Sequence, residues 1–165
     1  MTETTDIGEI HREMRRVQNN LTSIGTGVVF FAFWIVIKMI GFLYLYRDDI
    51  LNDPDIQEIG TDLYYFVFAL FILFNWGVHI YIGISARAEG KGRQRKLPYM
   101  AALTVWIFLY LVAFIFDISG GLVSDTDLFD AIANALIDIT MVIMLSELII
   151  STVKIRALRR QAVGG

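Results

Sequence analysis

The chain has 165 residues, 56% apolar, 19% charged and 13% aromatic, with a mean hydropathy of +0.58, too apolar for an ordinary soluble domain or for a disordered chain. With no cysteine, disulfide scaffolds, thiol catalysis, cysteine-based zinc sites and iron–sulfur clusters are excluded, and two histidines leave little for another metal cage. The net charge of −3 is small but unevenly spread, and its distribution carries the topology argument below.

Residues 1–20 are polar, with no apolar stretch before Leu21 and no small-residue cleavage site, so no removable signal peptide is expected. Within and beyond them Ile7, Ile10, Met14, Val17, Leu21 and Ile24 recur at alternating three- and four-residue steps. With Asp6 and Glu9 able to cap its start, this stripe predicts a short amphipathic N-terminal helix ahead of the first span. Three arrangements suit it: on the inner leaflet with its arginines at lipid phosphates, folded against the bundle, or in a coiled coil between protomers. The glycosylation-type triplet Asn20-Leu21-Thr22 falls at the inner membrane edge and is read as chance.

A bilayer-crossing helix needs about 20 predominantly apolar residues. Four runs meet this, at about 21–46, 63–86, 97–116 and 128–153, so the fold class is all-α, a polytopic membrane protein of four transmembrane helices in two hairpins. The first run holds Lys38 and the second Asn75 and His79. The third is apolar nearly all round, with Pro98 at its start, and the fourth holds Asp130, Asn134, Asp138 and Glu147. Trp34, Trp76 and Trp106 lie deep in their spans and read as packing or pore-lining bulk; Tyr44, Tyr46, Tyr64, Tyr65 and Tyr99 sit at span ends and suit the aromatic belts.

Short positively charged loops stay cytoplasmic. Arg12, Arg15 and Arg16 precede the first span; Arg87, Lys91, Arg93, Arg95 and Lys96 follow the second; Lys154, Arg156, Arg159 and Arg160 open a basic tail over 154–165. Both termini and the middle loop are therefore expected in the cytoplasm, with the chain in the plasma (inner) membrane and its basic face toward anionic lipid headgroups. The outer loops are acidic: Asp48, Asp49, Asp53, Asp55, Glu58 and Asp62 in one, Asp117, Asp125, Asp127 and Asp130 in or beside the other. This rim serves either solvation and topology or the gathering of cations at a pore mouth. Asp53-Pro54-Asp55 lacks the glycine and final glutamate of a calcium loop, and Gly90-Lys91-Gly92-Arg93 lacks the spacing and hydroxyl of a phosphate loop.

An ionisable group in hydrocarbon costs at least about 2.5 kcal/mol on insertion scales and so needs a partner, water or a function. Lys38 and Asp138 each lie about 12 Å from the outer end of their spans, at about 1.5 Å per residue, and are expected to pair, with Asn134 one turn away. By the same arithmetic His79 and Glu147 share a deeper level, and Asn75, His79 and Gly83 share one face of the second span, as a helix contact would require. Asp138 and Glu147 are nine residues apart and fall on opposite faces. Glu147 then faces another protomer, reaches toward Lys154, or lines a second watery space.

The expected function is passage or coupling of protons or small cations through Lys38, Asn75, His79, Asn134, Asp138 and Glu147, in a homo-oligomer or larger membrane complex. The alternative is a non-catalytic accessory, sensor or scaffold subunit in which these groups only hold helices together. No nucleophile–base pair points to an enzyme, and no cofactor, metal or nucleic-acid partner is expected; haem through His79 lacks a second ligand. Loop cysteines of the tetraspanin and connexin kind are absent, and the fourth span carries acids instead of the regular arginines of a voltage sensor.

Overall fold

The computed structural model describes the backbone of residues 2–93, 97–123 and 128–164, and the side chains of 8–93, 98–116, 118–119, 132 and 134–162. Asp117, Asp125, Asp127, Asp130, Arg95 and Lys96 lie outside the described side chains. All the regular structure described is helical: α1 Thr2–Leu45, α2 Arg47–Asn52, α3 Pro54–Ile59, α4 Thr61–Gly90, α5 Leu97–Val123 and α6 Leu128–Gly164. Four of these are long and apolar enough to cross a membrane, and the chain is an integral membrane protein.

The helix breaks follow local chemistry. Pro54 starts α3, where its missing N–H costs nothing, and Asp53 caps it by accepting from the N–H groups of Asp55 and Ile56 at 2.9 and 3.3 Å. Gly60 turns the chain from α3 into α4 at φ 97°, a conformation that favours glycine. No such residue interrupts α1, which runs for 44 residues, about 66 Å at about 1.5 Å per residue. The expected separate N-terminal helix is therefore the first part of α1. Its apolar stripe is folded against the bundle: Val17 and Leu21 join the core with Ile155 and Leu158, and Ile10 and Met14 pack on that core. The basic tail is likewise helical, as the end of α6.

The long helices alternate in direction in the order α1, α4, α5, α6. Antiparallel α1 and α4 pack extensively, as do α5 and α6, and α1 closes onto α6; of these four sides of the bundle the seam between α4 and α5 is the thinnest. The end of the bundle that carries both chain termini is tightly packed. There Leu21, Val28, Ile82, Ala86, Leu103, Leu145, Leu148 and Ile155 have no exposed surface. Two glycines permit the approach of α4 to α1: a Cβ on Gly83 would come within 2.6 Å of the Gly25 carbonyl oxygen, and one on Gly25 within 2.8 Å of the Gly83 carbonyl oxygen. Since lipid tails are as apolar as leucine, such close backbone packing, together with hydrogen bonds, holds membrane helices together.

Toward the other end, which carries α2 and α3, the helices spread. No residue of 33–49 or 61–78 is buried, nor any described residue of 107–119. Phe30, Phe108 and Ile143, at 71%, 64% and 63% exposure, show how much apolar surface is left for lipid. Close packing at the terminal end and splaying at the loop end together open a cavity between the four helices.

Candidate functional site

The cavity has a volume of about 590 Å³ and is walled by all four long helices. From α1 come Trp34, Lys38 and Phe42, from α4 Phe68, Phe74 and Asn75, from α5 Trp106 and Tyr110, and from α6 Asn134 and Asp138. Among its described lining residues Lys38 is the one cation and Asp138 the one carboxylate. The Lys38 ammonium donates to Asn134 Oδ1. The expected level of Lys38, Asn134 and Asp138 is thus one shared cavity, with the direct hydrogen bond from Lys38 going to the amide.

His79 lies beneath this cavity with no exposed surface. Its Nδ1 is 2.8 Å from the Asn75 carbonyl oxygen and its Nε2 is 2.7 Å from the Tyr110 hydroxyl. A carbonyl only accepts, so Nδ1 carries the ring proton; in the neutral imidazole Nε2 is then the acceptor and the Tyr110 hydroxyl the donor. The Asp138 carboxylate acts electrostatically on the same phenol. Trp106 stands edge-on to the imidazole at 5.8 Å. Together Tyr110 and Trp106 make His79 the main bridge across the thin α4–α5 seam. Asn75 Oδ1 is buried and has no hydrogen-bond partner among the described residues.

Glu147 does not meet His79. It accepts from Asn20 Nδ2 at 2.7 Å and lies beside Ser151, whose hydroxyl is 3.1 Å from the same amide nitrogen. Equal depth alone suggested the His79–Glu147 pair; the rotation of α6 turns Glu147 toward α1, while α5 supplies the partner of His79. Lys154, a candidate partner for Glu147, pairs with Glu13 at 2.6 Å. These groups line a second cavity of about 690 Å³ between α1 and α6, so α6 borders both cavities. Glu147 finds its partner within the chain and requires no second protomer.

Three groups absent from the sequence-level set prove central. Tyr110 completes the His79 site, although its span reads as apolar. Tyr99, expected in an aromatic belt, is fully buried, its hydroxyl 3.4 Å from Thr152 Oγ1. Glu89 has no exposed side chain and binds both Nε and Nη2 of Arg156 at 3.3 Å, and Nη1 of Arg159 at 3.3 Å; Arg159 also donates to the Glu89 carbonyl at 2.6 Å. Two arginines of the basic tail are therefore bound within the bundle. Their spacing of three residues, which puts both on one helix face, was the available signal.

The acidic rim is open. Asp48 and Asp49 on α2, Asp55 and Glu58 on α3, and Asp62 at the start of α4 are exposed, while Asp53 is engaged as the α3 cap.

No known protein family, curated protein or solved structure matches the chain. Function is therefore argued from the site. What the geometry contains is a polar network between membrane-spanning helices, open to a cavity on one side and sealed by apolar packing on the other.

Proposed function

We propose that this small membrane protein takes up and releases a proton at His79, through Tyr110 and Asp138, and couples that proton to the arrangement of α4 and α5. The carrying observation is where the chain of polar groups ends. Tyr110 can pass its hydroxyl proton to Nε2 as a proton delivered from the cavity replaces it, and the product is an imidazolium beside a neutral phenol. Beyond the ring stands a backbone carbonyl, which orients the imidazole and cannot take up a proton. Val28, Ile82, Leu103, Leu145 and Leu148 fill the next layer. A terminus of this kind favours coupling over conduction.

Protonation changes the seam it sits in. Nε2–H becomes a donor to the Tyr110 oxygen, and the hydroxyl proton must turn toward the cavity and Asp138. With the lysine and arginine bias placing both termini in the cytoplasm of a plasma-membrane protein, the cavity opens outward beneath an acidic rim that concentrates cations. Exposed Arg12, Arg15, Arg16, Lys91, Arg93 and Arg160 at the opposite end suit anionic headgroups.

The test uses Trp106 as the reporter in a Trp34→Phe, Trp76→Phe background. An imidazolium quenches a neighbouring indole, so emission should fall with acidification. His79→Gln should abolish the response, and Asp138→Asn should alter it, because the carboxylate acts on the Tyr110 phenol through which the proton is delivered. A response that survives His79→Gln, or none at all in the parent, defeats the reading.

A second reading, an accessory or scaffold subunit, is favoured by the Glu89–Arg156–Arg159 cluster, which fixes the terminal end as a rigid platform. It predicts a co-purifying membrane partner and assembly that survives Lys38→Met with Asp138→Leu.

A further inference from the structure

Arg87 lies in the last turn of α4, and Lys91, the residue that caps the helix, follows it by one turn on the same face. There the chain folds back instead of running on. Gly92, at φ 90°, donates its N–H to the Glu89 carbonyl at 3.1 Å, and Arg93 donates to the Ala88 carbonyl at 2.9 Å. This pattern closes a helix through a glycine, and it returns Arg93 over the turn that carries Arg87. Ile84, Arg87, Ala88, Lys91 and Arg93 consequently wall one concavity of about 450 Å³.

Its described lining residues include three cations and no carboxylate. The described ion pairs join Glu13 to Lys154, and Glu89 to Arg156 and Arg159; none of them takes Arg87, Lys91 or Arg93. A helix C-terminus ordinarily repels an anion through its bare carbonyls. Here the carbonyls of Arg87, Ala88 and Glu89 are occupied by the N–H groups of Lys91, Arg93 and Gly92. The α1–α6 cavity at the same end suits an anion less well, since Glu13 holds Lys154 there and Glu147 adds a second carboxylate. One edge of the basic concavity is apolar: Ile84 stands one turn before Arg87, 51% exposed, on a helix long enough to cross the membrane. A soluble anion would use the three cations alone, whereas a lipid uses the isoleucine as well.

We infer that this concavity is a binding site for an anionic phospholipid, its phosphate held by Arg87, Lys91 and Arg93 and the start of an acyl chain lying on Ile84. Arginine and lysine donate charge-assisted hydrogen bonds to phosphate oxygens. An ammonium in the headgroup would add a fourth cation to three, so the lipid is one whose headgroup carries none, as in phosphatidylglycerol. The bound lipid also bears on the bundle. A Cβ on Gly25 would come within 3.2 Å of Arg87 Cγ, so the stem of Arg87 lies against α1 beside the Gly25–Gly83 approach, and a headgroup that fixes Arg87 braces that joint. The inference rests on the reading that the basic end meets anionic headgroups and is independent of the proton at His79.

The experiment strips lipid from the full chain in a neutral detergent, adds phosphatidylglycerol or phosphatidylcholine, and counts bound molecules by native mass spectrometry. The first phosphatidylglycerol should bind at least roughly tenfold more tightly than phosphatidylcholine and should raise the thermal midpoint. Each cation beside the headgroup is worth about fivefold, so Lys91→Gln with Arg93→Gln should cost about 25-fold, and adding Arg87→Gln about a hundredfold. Lys91 and Arg93 are exposed, so the double variant tests the site without touching the packing of α4 on α1. A control carrying Arg12→Gln, Arg15→Gln and Arg160→Gln removes the same formal charge from the same end and should leave the first site within about twofold of the parent. Glycerol phosphate, a headgroup without chains, should displace the lipid only in large excess; displacement at equal concentration overturns the lipid assignment in favour of a soluble anion. Equal losses in the two triple variants mean that headgroups meet the basic end at large, which overturns the site and leaves the reading it rests on. No preference for phosphatidylglycerol overturns both.

Discussion

Across 2.7 Å the Tyr110 hydroxyl of α5 donates to Nε2 of His79 on α4, and this bond spans the seam where the bundle is least packed. Elsewhere the helices are joined by glycine-mediated backbone approach, by layers of leucine and isoleucine, and by the α1–α6 and α4–α6 polar pairs. At this seam a polar pair and the edge of Trp106 take that role, so a change in hydrogen-bond polarity can be felt as a change in helix packing.

Tyr110→Phe should therefore destabilise the protein by more than the loss of one exposed hydroxyl. It leaves a fully buried ring nitrogen without a donor, a cost of about 1–3 kcal/mol. His79→Phe combined with Tyr110→Phe should recover much of that loss, because no orphaned acceptor remains. Denaturant titration of the two variants in detergent checks the order; a double variant less stable than the single one contradicts it.

Glu89 is placed to be the most sensitive ionic position. Its carboxylate is fully buried, whereas the Arg156 and Arg159 side chains keep 28% and 17% exposure. Removing one partner of a buried pair costs about 3–5 kcal/mol, and the residual exposure of the arginines puts Glu89→Ala at the low end of that range. Pairing Glu89→Leu with Arg156→Met and Arg159→Met should bring the thermal midpoint back toward the parent. A Glu89→Ala protein with an unchanged midpoint refutes the assignment.

The glycines divide sharply. Gly83→Ala drives a Cβ to 2.6 Å from the Gly25 carbonyl oxygen and 2.5 Å from Val29, so α1 and α4 must part. Overpacking of this kind costs about 1–3 kcal/mol. Gly41→Ala and Gly77→Ala meet nothing within 4 Å and should change stability by less than about 0.5 kcal/mol. Unfolding curves of the three single variants suffice, and equal effects argue against the close packing of α1 on α4.

Depth arithmetic carried the sequence reading a long way and failed where angle mattered. Counting residues from the span ends brought Lys38, Asn134 and Asp138 to one level, and they line one cavity. The same count matched His79 with Glu147, but equal depth leaves rotation open, and the partner of His79 lies on a helix whose apolarity drew attention away from Tyr110. Hydropathy also understates helix length. Because it falls where α4 and α6 leave the hydrocarbon, their polar ends read as loop and tail. They are instead helical, and Glu89, Arg156, Glu13 and Lys154 pair across them.

Lys38 supplies the final prediction, because two opposing terms meet at its ammonium. It engages Asn134 at the wall of the cavity between the four helices. Removing an intramembrane charge relieves a cost of at least about 2.5 kcal/mol on insertion scales, against a lost charge-assisted hydrogen bond of about 1.5–3 kcal/mol. The two nearly cancel, so Lys38→Met should leave stability within about 1 kcal/mol of the parent. Asn134→Leu keeps the ammonium in the membrane and removes its acceptor, so it should destabilise the protein more than Lys38→Met does. Denaturant titration of the two variants in detergent checks the order, and an Asn134→Leu protein as stable as the parent contradicts it.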